Sequence, residues 1–161
     1  MLLLVLLSLS GCGGRGGALS SGAPASAWRA IPTTARVYYD NAGGIRDSLR
    51  LVVRDEATLR AVWSQATSAQ TAPPPAPEVD FQREMLLVVG AGRMAPEDQI
   101  RVDSVAVVRG SSGQALMAIV RLSEGCRRMN IDAYPLEIVR VGRIEGEVEF
   151  VERRDRAPSC P

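Results

Sequence analysis

Val79-Asp-Phe-Gln-Arg-Glu-Met-Leu-Leu-Val-Val-Gly-Ala-Gly92 is the stretch whose reading decides the fold. Met85 to Val89 is an unbroken apolar run, closed by Gly90 and Gly92. Such a run is too short for a helix and reads as a strand buried on both faces. The flanking segments supply further strands and a single helix.

Working back toward the N-terminus, Ala72-Pro-Pro-Pro-Ala-Pro77 cannot be helical and reads as a crossover. A docking ligand for an aromatic groove is the alternative. Before it, Leu59, Val62, Trp63 and Ala66 share one helical face, and Asp55 is placed to cap the first turn. That face is expected to pack on the sheet, with Trp63 contributing the largest area. Arg36 to Asp40 reads as a strand, Asn41 to Gly44 as a turn, and Ile45 to Arg54 as the returning strand. Leu49, Leu51 and Val53 lie on one face of it, and Arg46, Arg50 and Arg54 on the other. That arginine row reads as a solvated face, with an anion-binding surface as the alternative.

Working forward, Gln99 to Arg109 alternates as a strand does, but its phase slips near Asp103-Ser104, as at a bulge. Gly110 to Gly113 reads as a hairpin turn and Ala115 to Leu122 as another buried strand. Glu124 to Pro135 is an irregular loop. Leu136 to Arg143 and Glu147 to Arg153 read as a last hairpin across Ile144-Glu-Gly146, with Val148 and Phe150 inward and Glu147 and Glu149 outward. The expected fold is α+β, a mainly antiparallel sheet of about six or seven strands with one packed helix. It occupies residues 28–161 as a single domain.

Composition narrows the function. The chain has 161 residues, 46% of them hydrophobic, which suits one domain with a real core plus a targeting segment. Its 19 basic residues, all arginine, nearly balance 18 acids, so no basic stripe for nucleic acid is expected. Histidine is absent. That removes Ser-His-Asp and Cys-His nucleophile pairs and the commonest zinc ligand.

The first residues, Met1 to Leu9, are nearly all Leu and Val, too short to span a bilayer but suited to a secretory signal. The run ends Leu9-Ser-Gly-Cys12, which resembles the bacterial lipoprotein cleavage box. The resemblance implies a signal peptide over 1–11, a lipid on the thiol of Cys12, and an envelope location facing the periplasm or exterior. Gly13 in place of Asp implies the outer membrane where the cell has two. No Arg or Lys precedes the apolar run, which departs from that pattern; an ordinary signal peptide cut near Ala23 to Ala27 is the alternative. Acyl chains contribute about 0.8 kcal/mol per buried CH2, enough together for stable anchoring. Residues 12–27 are rich in Gly, Ser and Ala and read as a tether reaching about 20 Å.

With Cys12 assigned to lipid, Cys126 and Cys160 remain, and two thiols in an exported chain are expected to pair. Free thiols are the alternative. Gly90-Ala-Gly-Arg-Met-Ala95 matches a dinucleotide fingerprint in composition, but Pro96 and the strand at Ile100 leave no room for the helix that would hold a pyrophosphate. Asp80, Glu84, Glu97, Asp98 and Asp103 lie near the central strand, where two acids facing each other would make a glycosidase-like pair. Their spacing does not require it. The alternating acids of a calcium loop are absent. Neither a cofactor, a metal nor a catalytic residue is expected.

The series Leu59-x-x-x-Trp63, Val79-Asp-Phe81, Met85-Leu-Leu-Val-Val-Gly90, Ile100-x-Val102 and Ala133-Tyr-Pro-x-Glu-Ile-Val-Arg-Val141 resembles the PrcB-type domain, named for a subunit of a bacterial surface protease complex. The resemblance covers roughly Ala57 to Phe150. It implies a non-enzymatic accessory role at the cell surface, with an envelope protease or other envelope protein as partner, while the membrane is a partner through the lipid expected on Cys12. It carries over no functional residue. From the residues themselves, the expected contact surface is the Glu124–Pro135 loop with Arg127, Arg128 and Tyr134, since Arg and Tyr are favoured in interface hot spots. A merely solvated loop, a carboxylate-based hydrolase and a small inhibitor of envelope proteases are the competing readings.

Overall fold

The computed structural model describes residues 29–31, 34–110, 113–125 and 131–156. The expected signal segment and tether, with Cys12, and also Cys126, Arg127, Arg128 and Cys160, lie outside the described residues. The described chain is mostly sheet, with eight strands and one helix. The order is β1 (Arg29–Ile31), β2 (Thr34–Asp40), β3 (Ser48–Val53), α1 (Glu56–Ala66), β4 (Glu84–Ala91), β5 (Gln99–Gly110), β6 (Gly113–Glu124), β7 (Leu136–Gly142) and β8 (Val148–Arg156). The strands form two four-stranded sheets, β1-β5-β6-β8 and β2-β7-β4-β3, here called the first and second sheets.

Strand β4 is the centre of the molecule. Met85 through Val89 are all fully buried. Met85, Leu87 and Val89 point at the first sheet, where they meet Ile100, Val105, Leu116 and Val120. Leu86 and Val88 point the other way, into a second core with Leu59, Val62, Trp63 and Ala66 of α1. The continuous apolar run follows from this three-layer arrangement, because only a strand sandwiched on both sides has two faces to bury. Each such side chain contributes about 1.5–3 kcal/mol on burial.

The helix forms where its pattern places it. Asp55 accepts the backbone N–H of Thr58 at 2.8 Å, filling one of the free donors of the first turn. The Trp63 ring lies 5.0 Å from that of Tyr38. Its Nε1–H donates to the Pro74 carbonyl at 2.9 Å, so the proline-rich segment is strapped to the helix as a crossover. The bulge in β5 is also where the phase slip places it: Val102 pairs with Val120 but Ser104 with Ile119, leaving Asp103 as the extra residue.

Strand pairing corrects the expected local hairpins. β2 and β3 do not pair; β2 runs beside β7, and β3 beside β4. The segment that begins at Asn41–Gly44 reverses the chain but carries it past β7 and β4 to the far edge of the sheet. Gly43 has φ +91°, and a Cβ there would stand 2.8 Å from the Tyr134 ring. A Cβ on Gly44 would run into the carbonyl oxygens that end α1. The two glycines let the loop pass between the ring and the helix end, and Ile45 then enters the helix-side core.

The expected β7–β8 hairpin is likewise absent. β7 belongs to the second sheet, whereas β8 joins the first and pairs parallel with β6. Parallel neighbours require a crossover, and here β7 in the opposite sheet supplies it. The chain turns its corner at Gly146, where a Cβ would collide with the Gln114 carbonyl of β6. Arg143 clamps the same corner, donating to the carbonyls of Phe81 at 2.6 Å and Arg54 at 3.1 Å. Strand β6 is buried on one face only, not on both as its composition implies, and alternate residues stay half-exposed.

The expected row Arg46, Arg50 and Arg54 is not a solvated face, and the strand itself is shorter than expected, Ser48–Val53. Arg46 is exposed, but Arg50 pairs with Glu152 of β8 and Arg54 donates to the Gly146 carbonyl at 2.8 Å. These side chains tie the free edge of the second sheet to that of the first.

Candidate functional site

A cavity of about 540 Å³ opens at the end of the sandwich where β4 and β6 finish and β7 begins. Backbone pairing fixes its floor. Met94 and Ala133 exchange hydrogen bonds of 2.8 and 2.9 Å, prolonging the β4–β7 ladder past the end of β4. Asp98, itself buried, accepts the N–H of Ala95 at 3.1 Å and that of Gly125 at 2.8 Å, so one carboxylate ties this floor to the end of β6.

The lining combines apolar groups with charges of both signs, Arg93 and Arg154 facing the acids Asp98, Glu124 and Asp132. Met94 and Leu122 contribute apolar surface. Ile131 stands at the rim, 59% exposed, the one large hydrophobic side chain so exposed among the described residues. Arg93 and Arg154 also line the cavity. Each is mostly exposed and held only by a long ion pair, 3.9 Å to Asp132 and 3.9 Å to Glu152 respectively. Such pairs contribute little, which leaves both guanidiniums available to an acidic occupant. The arrangement suits an apolar side chain flanked by charged groups of either sign, as on an exposed polypeptide segment.

Of the expected contact residues, Tyr134 is described, and its ring is partly committed. It rests on Gly43, and the Arg46 guanidinium lies 5.5 Å above it. Tyr134 therefore helps to hold the 41–46 loop, while Ile131 of the same segment is the residue presented to solvent. No sequence pattern singled out Ile131; an isolated apolar residue in a polar loop was the available signal.

The five acids near the central strand are mostly engaged. Asp80 accepts the N–H of Gln82 at 3.0 Å and pairs with Arg83, while Glu84 pairs with Arg140 at 3.4 Å. Asp103 binds Arg121 at 2.9 Å, and that hydrogen bond holds its carboxyl below the usual range. Glu97 differs, since both its carboxylate oxygens are shut off from solvent and accept no hydrogen bond from the described residues. Among the described residues no group of three or more acids or thiols is placed to hold a metal. The Gly90–Ala95 segment leads into the Met94 bridge, and no helix follows it.

Sequence reasoning missed Glu137. It sits in the β7 run Leu136-Glu-Ile-Val139, all four buried, and its carboxylate binds Arg36 Nε at 2.6 Å. A lone acid inside a strand buried on both faces was the signal.

No protein-family model, curated protein or solved structure matches the chain.

Proposed function

We propose that this protein is a lipid-anchored binding or assembly module of the cell envelope, without catalytic activity of its own. In this reading Cys12 carries the lipid, residues 12–27 form the tether, and the domain meets another envelope protein. The series of motifs resembling the PrcB-type domain favours a surface protease as that partner. The observation that carries the binding role is the exposed Ile131 beside a cavity lined by Arg93 and Arg154. An exposed apolar anchor with arginines and acids around it has the composition of a contact surface, an apolar centre within a charged rim. An inhibitor of envelope proteases differs only in the consequence for the partner.

The test places a photo-crosslinking residue at position 131 of the full chain in intact cells, with a second at Ser64 on the exposed face of α1 as control. A discrete envelope adduct from position 131, absent from position 64, is expected. If that adduct is a protease, its activity with and without this protein separates support from inhibition. Indistinguishable patterns from the two positions would remove the binding role. Acyl labelling of Cys12→Ser is expected to abolish the lipid, and persistent label would refute the anchor.

A further inference from the structure

The outer face of the first sheet belongs to neither core. Helix α1 covers the outside of the second sheet, but among the described residues nothing equivalent lies over the first. Register places Ala106, Met117 and Glu149 in one row across β5, β6 and β8, and Ser104, Ile119 and Val151 in the next. Val108 and Ala115 extend the apolar surface beyond the first row. All six apolar side chains are half-exposed, and none packs with either core. A contiguous apolar surface of this kind on a sheet marks an interaction site.

The charges on this face indicate the occupant. Arg121 pairs with Asp103 and Asp155. Arg153 and Glu149 are both exposed, and among the described residues neither forms an ion pair, although the Arg153 charge is felt by Asp103. They stand on the same face of β8, two residues either side of Val151. A two-fold axis running across the strands along the Ser104–Ile119–Val151 row would lay a second copy face to face on the first. It inverts position along each strand, so Arg153 of one copy falls on Glu149 of the other and the pair forms twice. An isologous contact has this reciprocity by construction. Stacked sheets pack about 10 Å apart, a gap that Arg and Glu side chains span together.

We propose that two copies of this chain associate through the outer face of the first sheet, with Ile119 and Val151 at the axis, Met117 against the aliphatic stem of Arg121 of the other copy, and reciprocal Arg153–Glu149 pairs at the β8 edge. The surface lies on the opposite side of the sandwich from α1 and does not depend on the cavity at Ile131.

Sedimentation equilibrium of the full chain tests it. The parent protein is expected to reach a monomer–dimer equilibrium. Arg153→Glu sets Glu against Glu twice, and Glu149→Arg sets Arg against Arg twice. Each is expected to weaken self-association by at least about tenfold, because like charges brought together at an interface are strongly disfavoured. An equimolar mixture of the two single variants restores both pairs and is expected to recover the dimer, which also shows that neither variant failed by unfolding. Ile119→Arg is expected to give a monomer that no mixture rescues. A parent protein that stays monomeric up to roughly 100 μM, where a dimer of micromolar Kd would be well populated, overturns the proposal. So does a dimer indifferent to the charge reversals, or a mixture that stays monomeric.

Discussion

The Glu137 carboxylate of β7, in one sheet, accepts the backbone N–H of Val102 of β5, in the other, at 2.5 Å. Strand β1 covers β5 only from Val105 to Val107. The bulge beginning at Val102 therefore leaves a donor facing the interior, and an acid on the opposite sheet satisfies it. This links a sequence irregularity in one strand to a buried charge in another.

Glu137→Ala is expected to lower stability by about 2–3 kcal/mol, since it strands the Val102 N–H in the interior. Arg36, whose side chain is 54% exposed, would be left to water at little cost. Glu137→Gln keeps an acceptor and is expected to cost less. Urea unfolding of both variants measures the difference, and equal losses would show that the hydrogen bond is not what matters.

Gly146→Ala tests the crossover between sheets. A hairpin turn at this position would tolerate the methyl group. The corner seen here would not, because the methyl meets the Gln114 carbonyl. A loss of about 3 kcal/mol or more is expected, in the range reserved for strain and overpacking. A melting temperature within a degree or two of the parent would contradict the corner.

Glu97→Met is expected to raise stability, because it removes two carboxylate oxygens that are buried without partners. Relief of an unsatisfied buried group is worth about 1–3 kcal/mol. Thermal unfolding provides the measurement, and a clear loss would show that the carboxylate has an essential partner.

The pH profile has two limbs. The folded-state pKa of Asp103 is depressed, first by its hydrogen bond from Arg121. Its contribution is present above the unfolded value near 3.9 and is lost as pH falls through the lower folded value. Arg121→Ala is expected to flatten that acid limb. Burial raises Tyr38 and Tyr39, with Asp40 reinforcing the shift at Tyr38. Their contribution is present below the unfolded value near 10 and is lost as pH rises through the higher folded values. Denaturation curves across both ranges, with Tyr39→Phe as the alkaline control, would reveal a profile insensitive to these residues.

The parallel pairing of β6 with β8 bears on the two late cysteines. Glu124 and Arg156 are register partners, so both strands leave the sheet at the same end, about 4.8 Å apart. Cys126 and Cys160 follow shortly after them in sequence. Thiol labelling of the protein isolated without reductant is expected to leave both unmodified, and reduction to lower stability by about 3–4 kcal/mol for a loop of roughly 35 residues. Full labelling without a reductant would show that they are free.

The sequence alone determined the pieces whose physics is local. The apolar run at Met85–Val89 requires a strand covered on both faces, the spacing of Leu59, Val62, Trp63 and Ala66 requires a helix with one buried side, Asp55 supplies its cap, and the slip at Asp103 marks the bulge. Side-chain periodicity reports how many faces an element buries, and capping chemistry reports where it starts. Only the tertiary structure decided which strand lies beside which. Backbone ladders offer the same donors and acceptors to any partner, so β2, β3, β7 and β8 carry no local mark of their neighbours. Their positions follow from the combined packing of two sheets and a helix, with close approaches at Gly44 and Gly146 closing the local alternatives. The same packing drew Arg50 and Arg54 across the seam, buried Glu137 beneath the bulge, and left Ile131 exposed at the cavity rim.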